Sequence, residues 1–103
     1  MEEQGKIVVI ITTGTEEEAN KIGSVLLNQR KAACVNIVPR INSRFWWQGK
    51  IDSAQESLLI VKTKASLLNE TIKLVREIHS YDIPEVIALP IIGGNQDYLE
   101  WVG

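Results

Sequence analysis

The stretch AACVNIVPRINSRFWWQGKIDSAQESLLIVKTK, residues 32–64, constrains the fold more than any other part of the chain. It predicts one long β-hairpin. Its first arm carries a period-2 frame, Ser43, Phe45, Trp47, Gly49 and Ile51, which puts these residues on one face of an extended chain. Gln48-Gly49 supplies the turn, because glycine tolerates the positive φ that tight hairpin turns need. The return arm runs from Lys50 through the polar Asp52, Ser53, Gln55, Glu56 and Ser57 into the apolar Leu58-Leu59-Ile60-Val61. Each arm exceeds the usual strand of about 5–6 residues, and a sheet built from 103 residues cannot cover such a hairpin along its length. Its distal half, with Phe45, Trp46, Trp47 and Ile51, is therefore expected to project and to take apolar cover from a neighbouring subunit.

The rest of the chain supplies the scaffold. Ile7-Val8-Val9-Ile10-Ile11-Thr12-Thr13 is β-branched and apolar on both faces, the signature of a central strand opened by Lys6. After Gly14, Thr15-Glu16-Glu17-Glu18 fits a capping box, and Ala19, Ile22, Val25 and Leu26 make the buried stripe of a helix ending near Arg30-Lys31, where basic residues suit the helix dipole. A second strand starts at Ala32-Ala33-Cys34-Val35. Pro39 cannot donate to a ladder, so this strand lies at an edge or bulges at Pro39-Arg40.

Beyond the hairpin, Ser66 is expected to cap a second helix, with Leu68, Ile72, Val75 and His79 at helical spacing and a stop before Pro84. Val86–Ile91 reads as a fourth strand, and Gly93-Gly94 as a turn. Asp97 is expected to cap a short closing helix carrying Tyr98, Leu99 and Trp101.

The element order is β-α-β-β-α-β, and the halves resemble each other: IVVIITT (7–13) aligns with SLLIVKT (57–63), and VNIVP (35–39) with VIALP (86–90). Two right-handed βαβ halves joined by a hairpin interleave into an antiparallel sheet of order 4-1-3-2 with both helices on one face. The expectation is a single α+β domain over residues 1–103, ferredoxin-like, with a protruding β-hairpin and a short C-terminal helix. The other face of that sheet is too apolar to be left in water.

The segments ACVNIVPRINSRFWWQGKI, LLIVKT, HSYDIPEVIALPI and YLEWV together resemble the CutA family, named for tolerance to divalent cations. The resemblance covers nearly the whole chain. It implies a ferredoxin-like subunit in a compact homotrimer, similar in build to the PII-type signalling proteins. It also implies association with copper or another divalent metal ion, with Cys34 and His79 at the proposed ligand positions. Three departures stand out. The family usually has Tyr at Phe45, Glu at Gln48, and Pro-Tyr-Glu at Ser80-Tyr81-Asp82, so ligand contacts through the missing phenol and carboxylate are not expected here.

Cys34 and His79 pair a soft thiolate with an imidazole, chemistry suited to copper or zinc. Each also has a plain structural role open to it, the thiol as a small buried hydrophobe and the imidazole as a cap on the second helix. The topology puts Cys34 at the bottom of the sheet and His79 at the top, about 17–20 Å of strand apart, so a shared ion would have to cross a subunit boundary. Thr12, Thr13, Tyr81 and Asp82 gather at the top edge as candidates for a ligand cleft between subunits, which would suit a PII-like small-molecule sensor.

Other classes fare worse. The net charge of −2 gives no basic footprint for nucleic acid, and the third strand carries no aromatic RNA-binding signature. One cysteine excludes an internal disulfide and cannot hold an iron–sulfur cluster. No hydrolytic triad or Cys-His pair stands at a useful spacing, so binding is expected rather than catalysis. No apolar run reaches the ~20 residues of a membrane span, and the acidic start MEEQGK lacks signal-peptide character. The expected location is cytoplasmic.

Overall fold

A computed structural model of the chain describes residues 5–103; of the acidic start, residues 1–4 lie outside the described part. The elements run β1 (Lys6–Thr13), α1 (Glu16–Asn28), β2 (Cys34–Trp47), β3 (Lys50–Lys64), α2 (Leu68–Ile78), β4 (Val86–Pro90) and α3 (Gln96–Val102). The four strands form one sheet in the order β2-β3-β1-β4 with every neighbouring pair antiparallel. This is the ferredoxin-like arrangement expected from the internal repeat.

Alternation along β1 decides the layering. Ile7, Val9 and Ile11 are fully buried and share one cluster with Leu59 and Val61 of β3, Ala19, Ile22 and Leu26 of α1, and Val75 of α2. Both helices therefore cover the same face. The register carries Val8, Ile10, Leu58, Ile60, Cys34, Ile87 and Leu89 to the other face, which no helix layer covers: Ile87 is 52% and Leu89 53% exposed. An apolar sheet face of this kind is the normal mark of an interface.

The hairpin is as long as expected. Only Ser57–Lys64 of β3 pair with β1, while Ile41–Trp47 and Lys50–Glu56 pair only with each other. Seven residues at about 3.3 Å each carry the tip roughly 23 Å past the sheet, and the subunit measures 44 Å along its longest axis against 26 and 22 Å. Gln48 (φ 50) and Gly49 (φ 80) both take positive φ, the condition for a two-residue turn that matches strand twist.

β2 is an edge strand and also bulges at Pro39-Arg40. Those two residues oppose the single Ser57, between the pairs Val38–Leu58 and Ile41–Glu56, and Arg40 takes φ 56. The extra residue changes the phase of the strand. Ile37 aligns with the buried Leu59, but Phe45 and Trp47 fall in register with the set containing Leu58 and Ile60, on the open side of the sheet. The five-residue frame is thus corrected at its far end. Because the chain reverses at Gln48-Gly49, Ile51 pairs with Trp46, and these two occupy the opposite side of the ribbon from Phe45 and Trp47.

Four end assignments also differ from expectation. Arg30 and Lys31 lie beyond α1: the Arg30 amide donates to Leu27 O (3.1 Å) and the Lys31 amide to Leu26 O (2.8 Å), closing the helix in a Schellman motif with Arg30 at φ 57. Ser66 lies inside a 3₁₀ turn (Ala65–Leu67) and caps nothing; Leu67 precedes α2 without a side-chain cap. Asn95 rather than Asp97 caps α3, its Oδ1 accepting the Asp97 amide at 3.0 Å. β4 is assigned only to Pro90, although the Ile91 amide still donates to Lys6 O, the next rung of the same register.

Candidate functional site

The top edge of the sheet is built around His79. α2 ends one residue earlier, and the His79 amide closes its last turn on Val75 O at 2.9 Å. The backbone then turns extended (φ −78, ψ 142), which drives the imidazole down onto the end of β1. Nδ1 accepts the Tyr81 amide at 3.0 Å, so Nε2 carries the proton and donates it to Thr12 O at 2.7 Å. The side chain is wholly inaccessible, and the Tyr81 ring lies 4.8 Å from it. Both nitrogens of the imidazole are spoken for.

Glu18 locks the same corner from the helix side. Its carboxylate accepts the Ser80 amide at 2.7 Å and the Ser80 hydroxyl at 2.9 Å, with His79 Nδ1 3.7 Å away. Nδ1 already accepts from Tyr81, so that last approach is an ion pair only if the ring is protonated. Burial alone would push the Glu18 carboxyl up, but the two Ser80 donors, His79 and the Gly14 amide together outweigh it and hold it below the usual carboxylate range. The expected capping box is thus half formed. Thr15 Oγ1 accepts the Glu18 amide at 3.1 Å, whereas the Glu18 carboxylate turns outward to Ser80.

Tyr81 closes the third side. Its hydroxyl donates to Glu56 Oε2 at 2.9 Å, tying the loop after α2 to the base of the hairpin. Burial, the Glu56 bond and the charges of Glu56 and Glu18 push the phenol up to about 12. The ring lies so near Gly14 that a Cβ there would stand 3.3 Å from Tyr81 Oη. Of the expected cleft residues, Thr13 is buried with its hydroxyl on Thr15 O at 2.7 Å, and the Thr12 carbonyl serves His79. Only Asp82 points away, into a shallow groove with Asn69 and Arg76 on α2.

Cys34 stands at the other end of the sheet. It pairs with Lys62, which pairs with Val8, four residues before Thr12. Four residues span about 13 Å, two strand spacings add about 10 Å across the sheet, and the two side chains occupy opposite layers. Within one chain Cys34 and His79 cannot reach one ion. The half-exposed Cys34 thiol donates to Asn36 Oδ1 at 3.8 Å, and Lys62 Nζ donates to the same oxygen. Tyr98 of α3 lies near the thiol, and burial together with the Cys34 sulfur pushes its phenol up. Trp101 stacks at 5.6 Å behind it. Among the described residues no three His, Cys, Asp or Glu side chains gather into a ligand set.

The tip forms the third feature. Trp46 is 74%, Trp47 60% and Ile51 58% exposed, and Phe45 39%. Sequence reasoning placed these aromatics and His79 correctly in the fold but missed the long-range partners Glu18, Ser80, Glu56 and Tyr98. Asn36 was within reach of it, being two residues from Cys34 on the same strand face.

This architecture is matched by known proteins. A family model described as CutA1 divalent ion tolerance protein matches residues 7–103. The chain is 49% identical over 96 residues to Protein CutA 1, chloroplastic, of Oryza sativa, covering 93% of this chain and 54% of that one. To the Divalent-cation tolerance protein CutA of Thermus thermophilus it is 45% identical, with 92% of each covered. It thus spans about half the length of the plant relative and nearly all of the bacterial one. The crystal structure of CutA1 from Oryza sativa superposes with a TM-score of 0.93 at 48% identity, over 95% of this chain and 90% of that one. With the fold, the hairpin and the family match in agreement, the chain belongs to the CutA1 divalent ion tolerance family.

Proposed function

We propose that the protein acts by binding rather than catalysis, as a homotrimer that takes up copper or another divalent metal ion in metal tolerance. One observation carries the assembly: the open sheet face with Ile87 and Leu89, and the tip with Phe45, Trp46, Trp47 and Ile51, are apolar and exposed in the single subunit. Burial of each large side chain is worth about 1.5–3 kcal/mol. The free edges of the sheet belong to β2 and β4, and a head-to-tail pairing of one with the other closes a ring and removes both edges. The number three rests on the resemblance to the family.

For the metal, the support is the divalent-cation tolerance of the family together with the half-exposed Cys34 thiol. The described residues of one chain do not assemble a ligand set, so in this reading the ion is held by the oligomer, with Cys34 as the soft ligand. His79 is a structural residue in this reading, because either nitrogen would have to abandon Thr12 or Tyr81 to ligate. A cytoplasmic site of action belongs to the same proposal, supported by a thiol that has no disulfide partner; no helix among the described residues is long and apolar enough to cross a membrane.

Titration of the purified oligomer with Cu(I) and Zn(II) under reducing conditions tests the reading. Cys34→Ala should abolish saturable binding with the oligomer intact. Unchanged binding by that variant, or no binding by the wild type, would reject Cys34 as ligand.

A further inference from the structure

A cavity of about 450 Å³ opens at the bottom of the subunit, between the C-terminal end of α1, the start of β2 and α3, away from both the hairpin and the His79 corner. Leu27, Val102 and Trp101 give it apolar walls, Thr63 lies at its floor, and Arg30 and Lys64 bring two cations. No carboxylate side chain lines it; the main-chain carboxyl of Gly103 does, and a Cβ on that residue would stand 3.1 Å from Lys6 Nζ. Lys31, the third cation nearby, is engaged with Glu70 at 3.1 Å, whereas Arg30 and Lys64 form no ion pair among the described residues.

The carbonyls at the end of α1 would ordinarily repel an anion. Here they are closed: Val25, Leu26 and Leu27 oxygens accept the amides of Gln29, Lys31 and Arg30. Three of the carbonyls at this helix end are thus engaged, which lessens their opposition to an anion beside Arg30 and Lys64. Trp101, 58% exposed, offers a flat face on which a ring can stack.

Arg30 supplies a separate argument. It holds φ 57 at the position after the helix where glycine is the preferred residue. A bulky side chain in the left-handed region is a local cost to the fold, and such outliers concentrate where the side chain serves a site. What this arginine adds over glycine is a guanidinium at the cavity mouth. That fork suits a planar oxyanion such as a carboxylate.

We propose that this cavity binds a small planar organic anion, its ring stacked on Trp101 and its carboxylate held between Arg30 and Lys64. The volume falls within the range of small-molecule pockets.

The test uses the full-length oligomer, 1-naphthoate as the probe, and the uncharged 1-naphthylmethanol as its control, with binding read by calorimetry and by chemical shifts of the Trp101 indole. Naphthoate should bind and shift that indole, and naphthylmethanol should bind about tenfold or more weakly, the scale of a lost charge-assisted hydrogen bond. Arg30→Gly removes the cation while relaxing the backbone, so it should melt no lower than the wild type and still lose about tenfold in naphthoate affinity. Lys64→Gln should weaken naphthoate similarly. The proposal is overturned by absence of naphthoate binding, by equal binding of the two probes, or by a folded Arg30→Gly protein that binds like the wild type.

Discussion

The imidazole of His79 donates through Nε2 to the carbonyl of Thr12 at 2.7 Å, fastening the end of α2 to the end of the central strand. Thr12 pairs with Leu58 on the neighbouring strand, so this one bond joins the helix layer to the point where the hairpin leaves the sheet. His79→Ala would leave the carbonyl of the buried Thr12 without its donor and release the exposed Tyr81 amide to water. The expected loss is about 1–3 kcal/mol of subunit stability, measured by chemical denaturation. His79→Gln should recover part of it by restoring a donor. Metal affinity measured on the folded variant should match the wild type, since both ring nitrogens have structural partners.

Glu18 makes the same corner sensitive to acid. Its folded-state carboxyl sits below the ordinary 4.5, so its contribution is fully present above that value and is lost as pH falls below it towards the folded pKa. Unfolding midpoints recorded from pH 6 down to about 3 should show an acid limb that Glu18→Gln flattens. The variant keeps one oxygen acceptor where the carboxylate uses two for Ser80, so at neutral pH it should be less stable than the wild type by the contribution that acid removes from Glu18. An unchanged acid limb would mean that other carboxylates control it.

Tyr81 gives the opposite limb. The phenol is raised from 10.0 to about 12, so the folded state holds the proton more tightly than the unfolded chain. The associated stability is present below 10.0 and disappears as pH rises towards 12. Tyr81→Phe removes both the Glu56 bond and this alkaline loss. Its stability profile between pH 9 and about 11 should therefore be flatter than that of the wild type.

Much of the fold was legible because it rests on local rules. The β-branched run Ile7–Thr13, apolar on both faces, marked β1 as a central strand, Pro39 announced the irregular edge, and Gln48-Gly49 located the turn. The misreadings came where two local rules competed. The period-2 frame ran through the turn to Ile51, although a reversal ends any strand-face argument; register with Trp46 places Ile51 on the other side. Asn95 and Asp97 are both good caps, and the choice depended on where the chain leaves β4. The partnership of Glu18 with Ser80 spans 62 residues, and a capping-box pattern gave no hint that its carboxylate would turn away from its own helix. For Cys34 and His79, topology alone showed their separation, but only the packed structure shows that His79 spends both nitrogens on Thr12 and Tyr81.

The hairpin tip carries the sharpest expectation. Trp47, 60% exposed, sits with Phe45 on the ribbon side in register with the open sheet face, while Trp46, at 74%, shares the other side with Ile51. A partner that covers both sides must embrace the ribbon, so each tryptophan should contribute to assembly independently. Truncating either one removes most of a large apolar side chain, a loss of about 2–3 kcal/mol per subunit if it is buried in the oligomer. In a ring that loss is repeated at every interface, and it appears as concentration-dependent dissociation. Lys50→Ala, beside the same turn but polar and exposed, removes no comparable area. Sedimentation at micromolar concentration should therefore find Trp47→Ala and Trp46→Ala shifted towards smaller species, and Lys50→Ala at the mass of the wild type. A monomeric wild type, or a Trp47→Ala protein equal to it in mass and melting temperature, would show that the tip is not an assembly surface.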